Sequence, residues 1–285
     1  MLYDRAFAIN NPELHLQEKQ LFELFSNNDK LVIFDIGACE GESSLRYSRL
    51  FPNATVYTFE PIPSNFKLIT ENIKNYNNTQ IKAFELCLSD KKGTADFYVS
   101  SGKPPEFSNT DVDWEFGNKS SSLLPPDKTL ETYDWLQFKE KVVVPTERLD
   151  NFMNQNNINE IDFVHMDVQG AELMVLDGAG DLLRNLKNIW LEVEAVPLYK
   201  GQPVKKDIEK FFIEKGYVKL LDTVDKVAGD QFWSKKDWVL QKKEINWLSK
   251  REKEIRLLEQ SRKVPFSQII KDKIRLRTRL KSLFK

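Results

Sequence analysis

The chain has 285 residues, of which 41% are hydrophobic and 12% aromatic, and its net charge is −1. This composition is typical of a folded globular protein with one substantial core. No apolar run approaches the ~20 residues of a transmembrane helix, and two histidines with two distant cysteines exclude a structural zinc site of the usual spacing.

The amino-terminal residues 1–29 are assigned to a helical segment. A helix is predicted over residues 12–28, with Leu14, Leu21 and Leu24 on one side. The first residues lack the apolar region of a signal peptide, so we expect a cytoplasmic protein whose two cysteines are reduced.

The most informative segment is residues 32–44, VIFDIGACEGESS. An apolar run ends in an acidic residue and a glycine-containing turn, and a helical pattern follows. This is typical of a buried parallel strand that leads into a helix amino terminus, where doubly wound sheets bind nucleotide-like ligands. We therefore expect cofactor-binding residues here, namely Asp35, Gly37, Ala38, Gly41 and Ser43.

A second strand is predicted over residues 55–59, and it ends at Glu60 and Pro61. Glu60 follows Gly41 by nineteen residues. An acid about 20 residues after such a turn can accept hydrogen bonds from both hydroxyls of a ribose. Glu60 and Pro61 are therefore predicted to bind the ribose of the cofactor.

The spacing of the glycines distinguishes between cofactors. A dinucleotide-binding turn has the pattern G-x-G-x-x-G, so that backbone amides can approach a pyrophosphate. Here Cys39 takes the place of the second glycine, and Glu40 and Glu42 add negative charge. Two acids disfavour a diphosphate but tolerate a sulfonium with an ammonium group. The turn predicts S-adenosylmethionine, and a nicotinamide dehydrogenase is the competitor at the level of the fold.

Each part of this cofactor has predicted contacts. Asp35 and the backbone of Gly37 and Ala38 are expected to hold the amino acid end. Leu88 and Ser89, which end the third predicted strand, are expected to flank the adenine. An ordinary turn is the alternative for these last two residues.

The third strand is predicted over residues 81–88, and a short strand over residues 94–99 follows a turn. Residues 100–140 then break the pattern with four prolines and a serine run. So long a loop in a compact domain is usually functional or disordered, and its aromatic residues favour an ordered cap. The candidate substrate-binding residues of this cap are Trp114, Ser121 and Ser122.

Strands and helices alternate through the second half of the domain. Strands are predicted over residues 141–146, 161–166 and 189–196, and helices from Leu149, over residues 171–183 and up to Gly216. A hairpin of residues 217–221 and 238–240 is predicted to close the domain. This order predicts a Rossmann-like α/β domain over residues 30–240, mostly parallel, with an antiparallel carboxy-terminal hairpin and helices on both faces.

The carboxy-terminal tail, residues 241–285, differs in charge from the rest. It carries fifteen Lys or Arg and five Asp or Glu, hence +10, so residues 1–240 carry about −11. Its apolar residues alternate with cations as in a basic amphipathic helix, which would suit an anionic membrane surface or an acidic partner. A solvated terminal helix, or one docked on the acidic body, is the alternative. Nothing resembles a base-reading module, so nucleic acid is not expected as a partner.

Several motifs together resemble the FkbM-type S-adenosylmethionine-dependent methyltransferases over roughly residues 30–240. They are the first-strand motif, Phe59-Glu60-Pro61, Leu88-Ser89-Asp90, Ser121-Ser122-Leu123 and the block from Ile161 to Glu172. The resemblance implies a Rossmann-like methyltransferase fold and O-methylation, commonly of sugar hydroxyls or natural products. Gln169 departs from the family, since many members have glutamate there.

A hydroxyl acceptor is a weak nucleophile and gains from a nearby base. Asp167 lies at the carboxyl end of a predicted central strand, beside the cofactor, and is expected both to bind the cofactor and to act as the base. The other candidates are His165, on the same face of that strand, and Glu194, on the neighbouring strand. Capping of the next helix is the alternative for Asp167, and a core position for His165. Asp167 and Glu194 together could ligate Mg²⁺, but no dense acidic cluster supports a metal site, so none is assigned.

We therefore expect an S-adenosylmethionine-dependent O-methyltransferase acting on a saccharide or glycan precursor. One alternative is methylation of a smaller, non-sugar natural product. Another is a non-catalytic S-adenosylmethionine-binding scaffold that its tail recruits to a membrane assembly. No oligomeric state is predicted.

Overall fold

The structure, a computed structural model, describes residues 5–107, 117–244, 246 and 250. The chain divides into two compact units, Met1–Lys235 and Lys236–Lys285. In the second unit residues 236–244 are helical, and most of the predicted basic tail lies outside the described residues. The rest of the fold concerns the first unit.

The first unit alternates helices and strands. In chain order they are α1 (Arg5–Asn10), α2 (Leu16–Leu24), β1 (Val32–Ile36), α3 (Glu42–Leu50), β2 (Thr55–Phe59), α4 (Pro63–Asn75), β3 (Ile81–Phe84), β4 (Cys87–Ser89), β5 (Gly93–Ser101), α5 (Thr129–Thr132), β6 (Gln137–Arg148), α6 (Leu149–Gln155), β7 (Phe163–Met166), α7 (Glu172–Asp177), β8 (Asn188–Glu194), α8 (Lys205–Glu214), β9 (Tyr217–Asp222) and β10 (Ala228–Lys235). Short 3₁₀ turns occur at Pro105–Phe107, Gly117–Ser120 and Gly180–Asn185.

The main sheet has seven strands in the order β3-β2-β1-β7-β8-β10-β9. The first five are parallel, and β10 runs antiparallel to both β8 and β9. The chain therefore leaves β1 toward β2 on one side and later returns to place β7 on the other. Ligands of open α/β sheets bind at such a switch point, outside the carboxyl ends of the strands. The predicted Rossmann-like fold is confirmed.

An aromatic cluster covers one face of this sheet. Phe34 of β1, Phe59 of β2 and Phe152 of α6 are buried, and their ring centroids lie 4.8 to 5.9 Å apart. Burial of each side chain contributes about 1.5–3 kcal/mol to stability.

The opposite face is packed by α3. Tyr47 of α3 meets Phe163 of β7 edge to face, with ring centroids 5.4 Å apart. Phe163 pairs in register with Ile33 rather than with Phe34, so its side chain lies on the other face of the sheet. Helices thus cover both faces of the central strands, which explains why these strands are almost continuously apolar.

A second sheet of three strands, in the order β4-β6-β5, follows the third strand of the main sheet. The prediction of one strand over residues 81–88 is wrong, because a tight turn separates β3 from β4. In this turn the Leu86 amide donates a hydrogen bond to the Phe84 carbonyl. Cys87 of β4 then pairs with Thr146 of β6. The predicted cap is also shorter than 100–140, since β6 already begins at Gln137.

Three other element predictions need correction. The leading helix is two helices, because Pro12 precedes a second start at which the Glu18 carboxylate accepts the His15 amide. The predicted helix over residues 171–183 ends at Gly178, which approaches the Ser89 carbonyl so closely that a Cβ would lie 2.1 Å from it. The hairpin pairs β9 with β10, whereas residues 238–240 are helical.

A buried arginine ties the amino-terminal segment to the domain. Arg46 of α3 is 2% exposed and pairs with Glu18 of α2 at 2.6 Å. Its guanidinium also donates to the carbonyls of Ala8, Asn11 and Glu13. These partners satisfy a charge that would otherwise be costly to bury.

We expect Arg46→Ala to lower the free energy of unfolding by about 3–5 kcal/mol, because it leaves Glu18 as an unpaired buried charge. The matched control is Arg49→Ala: Arg49 is exposed and donates to the Ile9 and Asn11 carbonyls, and we expect about 1 kcal/mol. Urea denaturation measures both, and equal losses would contradict the role given to Arg46.

Candidate active site

A cavity of about 250 Å³ lies at the carboxyl ends of β1, β2 and β7. Its walls come from the turn after β1, the residues after β2, strand β4, the cap, the turn after β7 and the amino-terminal segment. Of the predicted cofactor-binding residues, it is lined by Asp35, Gly37, Ala38, Ser43, Glu60, Pro61, Leu88 and Asp167. Gly41 and Ser89 lie outside this lining.

The turn after β1 requires glycine at its first position. Gly37 has φ +81°, and a Cβ on it would lie 1.9 Å from the carbonyl oxygen of Asp167. The turns after β1 and β7 are therefore in backbone contact, and together they form the floor of the cavity. The amides of Gly37 and Ala38 both donate to the Phe59 carbonyl at 3.0 Å, so they bind β2 rather than pointing freely into the cavity.

Glu60 is held from both sides at the end of β2. One carboxylate oxygen accepts the Cys39 amide and the other the Ile62 amide, each at 2.9 Å. Glu60 is 4% exposed, and burial raises its pKa to about 7 although the two amides oppose the shift. The Asn65 side chain also hydrogen-bonds to this carboxylate, and the three donors leave it capacity for a further one.

Asp35 anchors a buried polar group below the turn. It accepts the Ser44 hydroxyl at 2.5 Å, and Ser44 also contacts the Thr58 hydroxyl at 2.7 Å. The Nδ1 atom of His165 lies 3.2 Å from Asp35. Burial lowers the pKa of His165, but its hydrogen bond with Asp35 and the charges of Asp35, Asp167 and Asp230 outweigh burial and leave the pKa above its usual value. His165 lines the cavity beside Asp35 and Asp167.

Asp167 follows β7 and lines the cavity, as predicted for a base. Glu194 lies on the neighbouring strand β8, as predicted, but it is 2% exposed and outside the cavity lining. Glu192 comes closer to Asp167: the Gln169 side-chain amide donates to both carboxylates. Met166 of β7 pairs with Leu191 of β8. The residues that follow them, Asp167 and Glu192, therefore lie side by side at the ends of the two strands.

The predicted substrate residues fall in different places. Ser121 lines the cavity. Ser122 is fully buried, and its hydroxyl donates to the Gln169 carbonyl. Trp114 lies outside the described residues.

The cap also supplies residues that the sequence did not single out. Asn118 donates to the carboxylate of Glu40 at 3.1 Å, and Lys119 pairs with Glu42 at 2.9 Å. Glu40 and Glu42 are thus contacted by the cap, whereas from the sequence we expected them to face a cationic cofactor. Their negative charge was the available signal that a cation must come from elsewhere in the chain. The spacing of residues did not identify Lys119 as that cation, because it lies 77 positions after Glu42 in the sequence.

His15 and Ala8 of the amino-terminal segment also line the cavity, next to Arg46. Among the described residues, no group of three or more His, Cys, Asp or Glu side chains is arranged to hold a metal ion. Nor is any helix within those ranges long and apolar enough to cross a bilayer.

A mostly parallel sheet with this strand order, and a cavity at its switch point, defines a Rossmann-like fold of the class I methyltransferase type. Residues 35–219 match the family model described as the methyltransferase FkbM domain. The chain belongs to the FkbM methyltransferase family, and it is an S-adenosylmethionine-dependent methyltransferase. The family and the cofactor predicted from the sequence are confirmed.

Two relatives agree with this family, and one solved structure is similar to the chain. The 2-O-methyltransferase NoeI of Sinorhizobium fredii is 32% identical over 202 residues, which are 70% of this chain and 79% of the relative. Methyltransferase sdnD of Sordaria araneosa is 26% identical and covers 79% of this chain and 90% of its own length. A crystal structure of methyltransferase FkbM from Methylobacillus flagellatus is 15% identical, covers 82% of this chain and 48% of that one, and has a TM-score of 0.47.

We expect Gly37→Ala to destabilise the fold by about 1–3 kcal/mol more than Gly201→Ala, because only the first Cβ overlaps backbone. The two glycines have similar backbone conformations, φ +81° and φ +75°, and nothing lies within 4 Å of a Cβ on Gly201. Chemical denaturation measures the difference. Equal losses would show that the turn can move away from Asp167.

Proposed function

We propose that this enzyme transfers a methyl group from S-adenosylmethionine to a hydroxyl oxygen of a saccharide or glycan precursor. The observation that carries the proposal is the carboxylate of Asp167 on the wall of the cofactor cavity, where an acceptor oxygen can reach both a base and the methyl group. The name of the relative NoeI, a 2-O-methyltransferase, supports oxygen as the acceptor atom.

The cavity residues fit the parts of the cofactor. We assign the amino acid end to Asp35, Ser43 and the cavity-lining residues Gly37 and Ala38, whereas Gly41 is assigned to shaping the turn. The carboxylate of Asp35 supplies negative charge for the ammonium group. The ribose is assigned to Glu60 and Pro61, since both line the cavity and the Glu60 carboxylate can accept a further donor. The adenine is assigned to the apolar wall that Leu88 forms, with Ser89 behind it.

The cofactor supplies a methyl group already activated on a sulfonium sulfur. The protein's task is therefore to position the acceptor, which can supply about 7–11 kcal/mol of the barrier. Asp167 accepts the hydroxyl proton as the oxygen attacks. His165 lies on the same wall, with its Nδ1 atom 3.2 Å from Asp35, and is the second candidate for the base. Glu194, which lies outside the cavity lining, is a weaker candidate for the base.

The acceptor would lie under the cap. Ser121 faces the cavity and is assigned to the acceptor, as is Trp114, whereas Ser122 is assigned to holding the cap.

The cysteines Cys39 and Cys87 are free thiols, which supports a reducing, cytoplasmic location. Contact of the basic tail with an anionic membrane remains a prediction.

Two measurements test this function. Calorimetric titration with S-adenosylmethionine, S-adenosylhomocysteine and NAD should show binding of the first two only. Transfer of radiolabelled methyl to a saccharide panel, including analogues that each lack one hydroxyl, should identify the acceptor oxygen. Binding without transfer to any hydroxyl compound would favour the scaffold alternative.

We expect the affinity for S-adenosylhomocysteine to rise about tenfold between pH 6 and pH 8. Ribose hydroxyls donate to the ionised carboxylate of Glu60, and a pKa of about 7 leaves that carboxyl mostly protonated at the lower pH. Glu60→Gln should weaken binding about 10–100-fold at pH 8 and remove the pH dependence. Glu71→Gln, on the exposed side of α4, is the control. An unchanged pH dependence in Glu60→Gln would contradict the ribose assignment.

We expect Asp167→Asn to lower kcat about 10²–10⁴-fold, because it removes the base. The affinity for S-adenosylhomocysteine should change much less. Asp181→Asn, at an exposed position, is the control. Near-normal turnover in Asp167→Asn would move the base to another residue.

A further inference from the structure

Gln169 is the side chain in contact with the proposed base. It lies in the turn between β7 and α7 with φ +54°, and it lines the cavity. Its Nε2 atom donates to Oδ1 of Asp167 at 2.7 Å and also to a carboxylate oxygen of Glu192. Its Oε1 atom accepts the hydroxyl of Tyr199 at 3.0 Å.

These contacts fix the orientation of the amide. The two N–H groups of Nε2 meet two carboxylates, and the carbonyl oxygen meets a hydroxyl donor. A flipped amide would turn its carbonyl oxygen toward Asp167, which as the proposed base is ionised and has no proton to donate. Oδ1 of Asp167 is therefore held by Gln169, which leaves Oδ2 to accept the proton of the acceptor.

The same residue joins the base to the cap. The main-chain oxygen of Gln169 accepts the Ser122 hydroxyl at 2.7 Å. The hydroxyl of Tyr199 lies 2.7 Å from the Ser120 carbonyl oxygen and 3.0 Å from Oε1 of Gln169, so its single proton is shared between these two acceptors. Two cap residues are thus connected to the turn that carries Asp167, one directly and one through Tyr199.

The surroundings of Gln169 are strongly acidic. Burial raises the pKa of Glu192 and of Glu172 well above the usual value, and it raises the pKa of Glu194 to about 7 and of Asp230 to about 6. The titratable groups that face this region from the packed elements are Asp167, His165, Glu172, Glu192, Glu194, Asp230, Tyr199 and Tyr133. A further carboxylate at position 169 would be repelled by its neighbours, whereas an amide bridges them.

We propose that Gln169 is a positioning residue: its neutral amide orients Asp167 for proton acceptance and connects that orientation to the cap. This inference rests on the proposed function, in which Asp167 is the base. An amide suits this position because it combines two donors on one atom with one acceptor on the other. A glutamate can reproduce one donor contact only while it is protonated.

The test is the pH profile of kcat for Gln169→Glu beside the wild type. The introduced carboxyl group can donate to Asp167 while it is protonated, but it repels Asp167 once it is ionised. The ratio of kcat values, variant to wild type, should therefore fall about tenfold or more between pH 6 and pH 8. A constant ratio across this range would overturn the inference, since a purely structural role lowers kcat without changing the profile.

A second variant, Gln169→Ala, tests the positioning role of Gln169 if Gln169→Glu does not fold. Gln169→Ala should lower kcat about tenfold and move the acid limb of its pH profile to higher pH, because Asp167 loses a donor. Affinity for S-adenosylhomocysteine should stay within about threefold of wild type. A kcat within twofold of wild type, or an unmoved acid limb, would overturn the inference.

Asp167→Asn separates this inference from the proposed function. If Asp167→Asn is inactive and Gln169→Glu keeps a constant kcat ratio, the base stands and the positioning role fails. If Asp167→Asn remains active, the assignment of the base fails and the positioning role fails with it.

Discussion

The contact between the Gly37 backbone and the Asp167 carbonyl is the constraint on which the rest of the site depends. A Cβ at Gly37 would lie 1.9 Å from that oxygen, so only glycine lets the turns after β1 and β7 meet. This meeting places Asp35 and Glu60 on one wall of the cavity and Asp167 on the next. The proposed cofactor site and the proposed base are adjacent because β1 and β7 are neighbouring parallel strands whose next strands, β2 and β8, lie on opposite sides.

The cavity and its surroundings have two regions that differ in how the charges of their acidic residues are compensated. At the cofactor turn, Lys119 pairs with Glu42, and backbone amides hold Glu60. Beyond Asp167, acids accumulate around Gln169 with raised pKa values, so protonation rather than cations compensates their burial. The first region suits a cofactor that carries both charges. The second suits proton acceptance from a weakly acidic hydroxyl.

The sequence could predict the positions of residues that lie in one strand and its turn or at the end of a recognisable strand. Asp35, Gly37 and Ala38 belong to one strand and turn, and Glu60 and Asp167 each end a strand recognisable by its apolar run. Strand ends meet at one edge of a parallel sheet, so their proximity follows from the pattern alone. The cap residues Asn118 and Lys119 could not be placed, because no periodicity relates their loop to the turn that they contact.

The sequence by itself determined the Rossmann-like class, the glycine-containing turn after β1 and the place of Asp167 at the end of a strand, since local periodicity and glycine spacing encode them. Only the tertiary structure decided that Glu192, rather than Glu194, shares the Gln169 amide with Asp167. That choice depends on the register of β8 against β7, where Met166 pairs with Leu191. Likewise, the contribution of His15 to the cavity depends on the burial of Arg46 against Glu18. Register and packing come from contacts between distant parts of the chain, which local patterns do not specify.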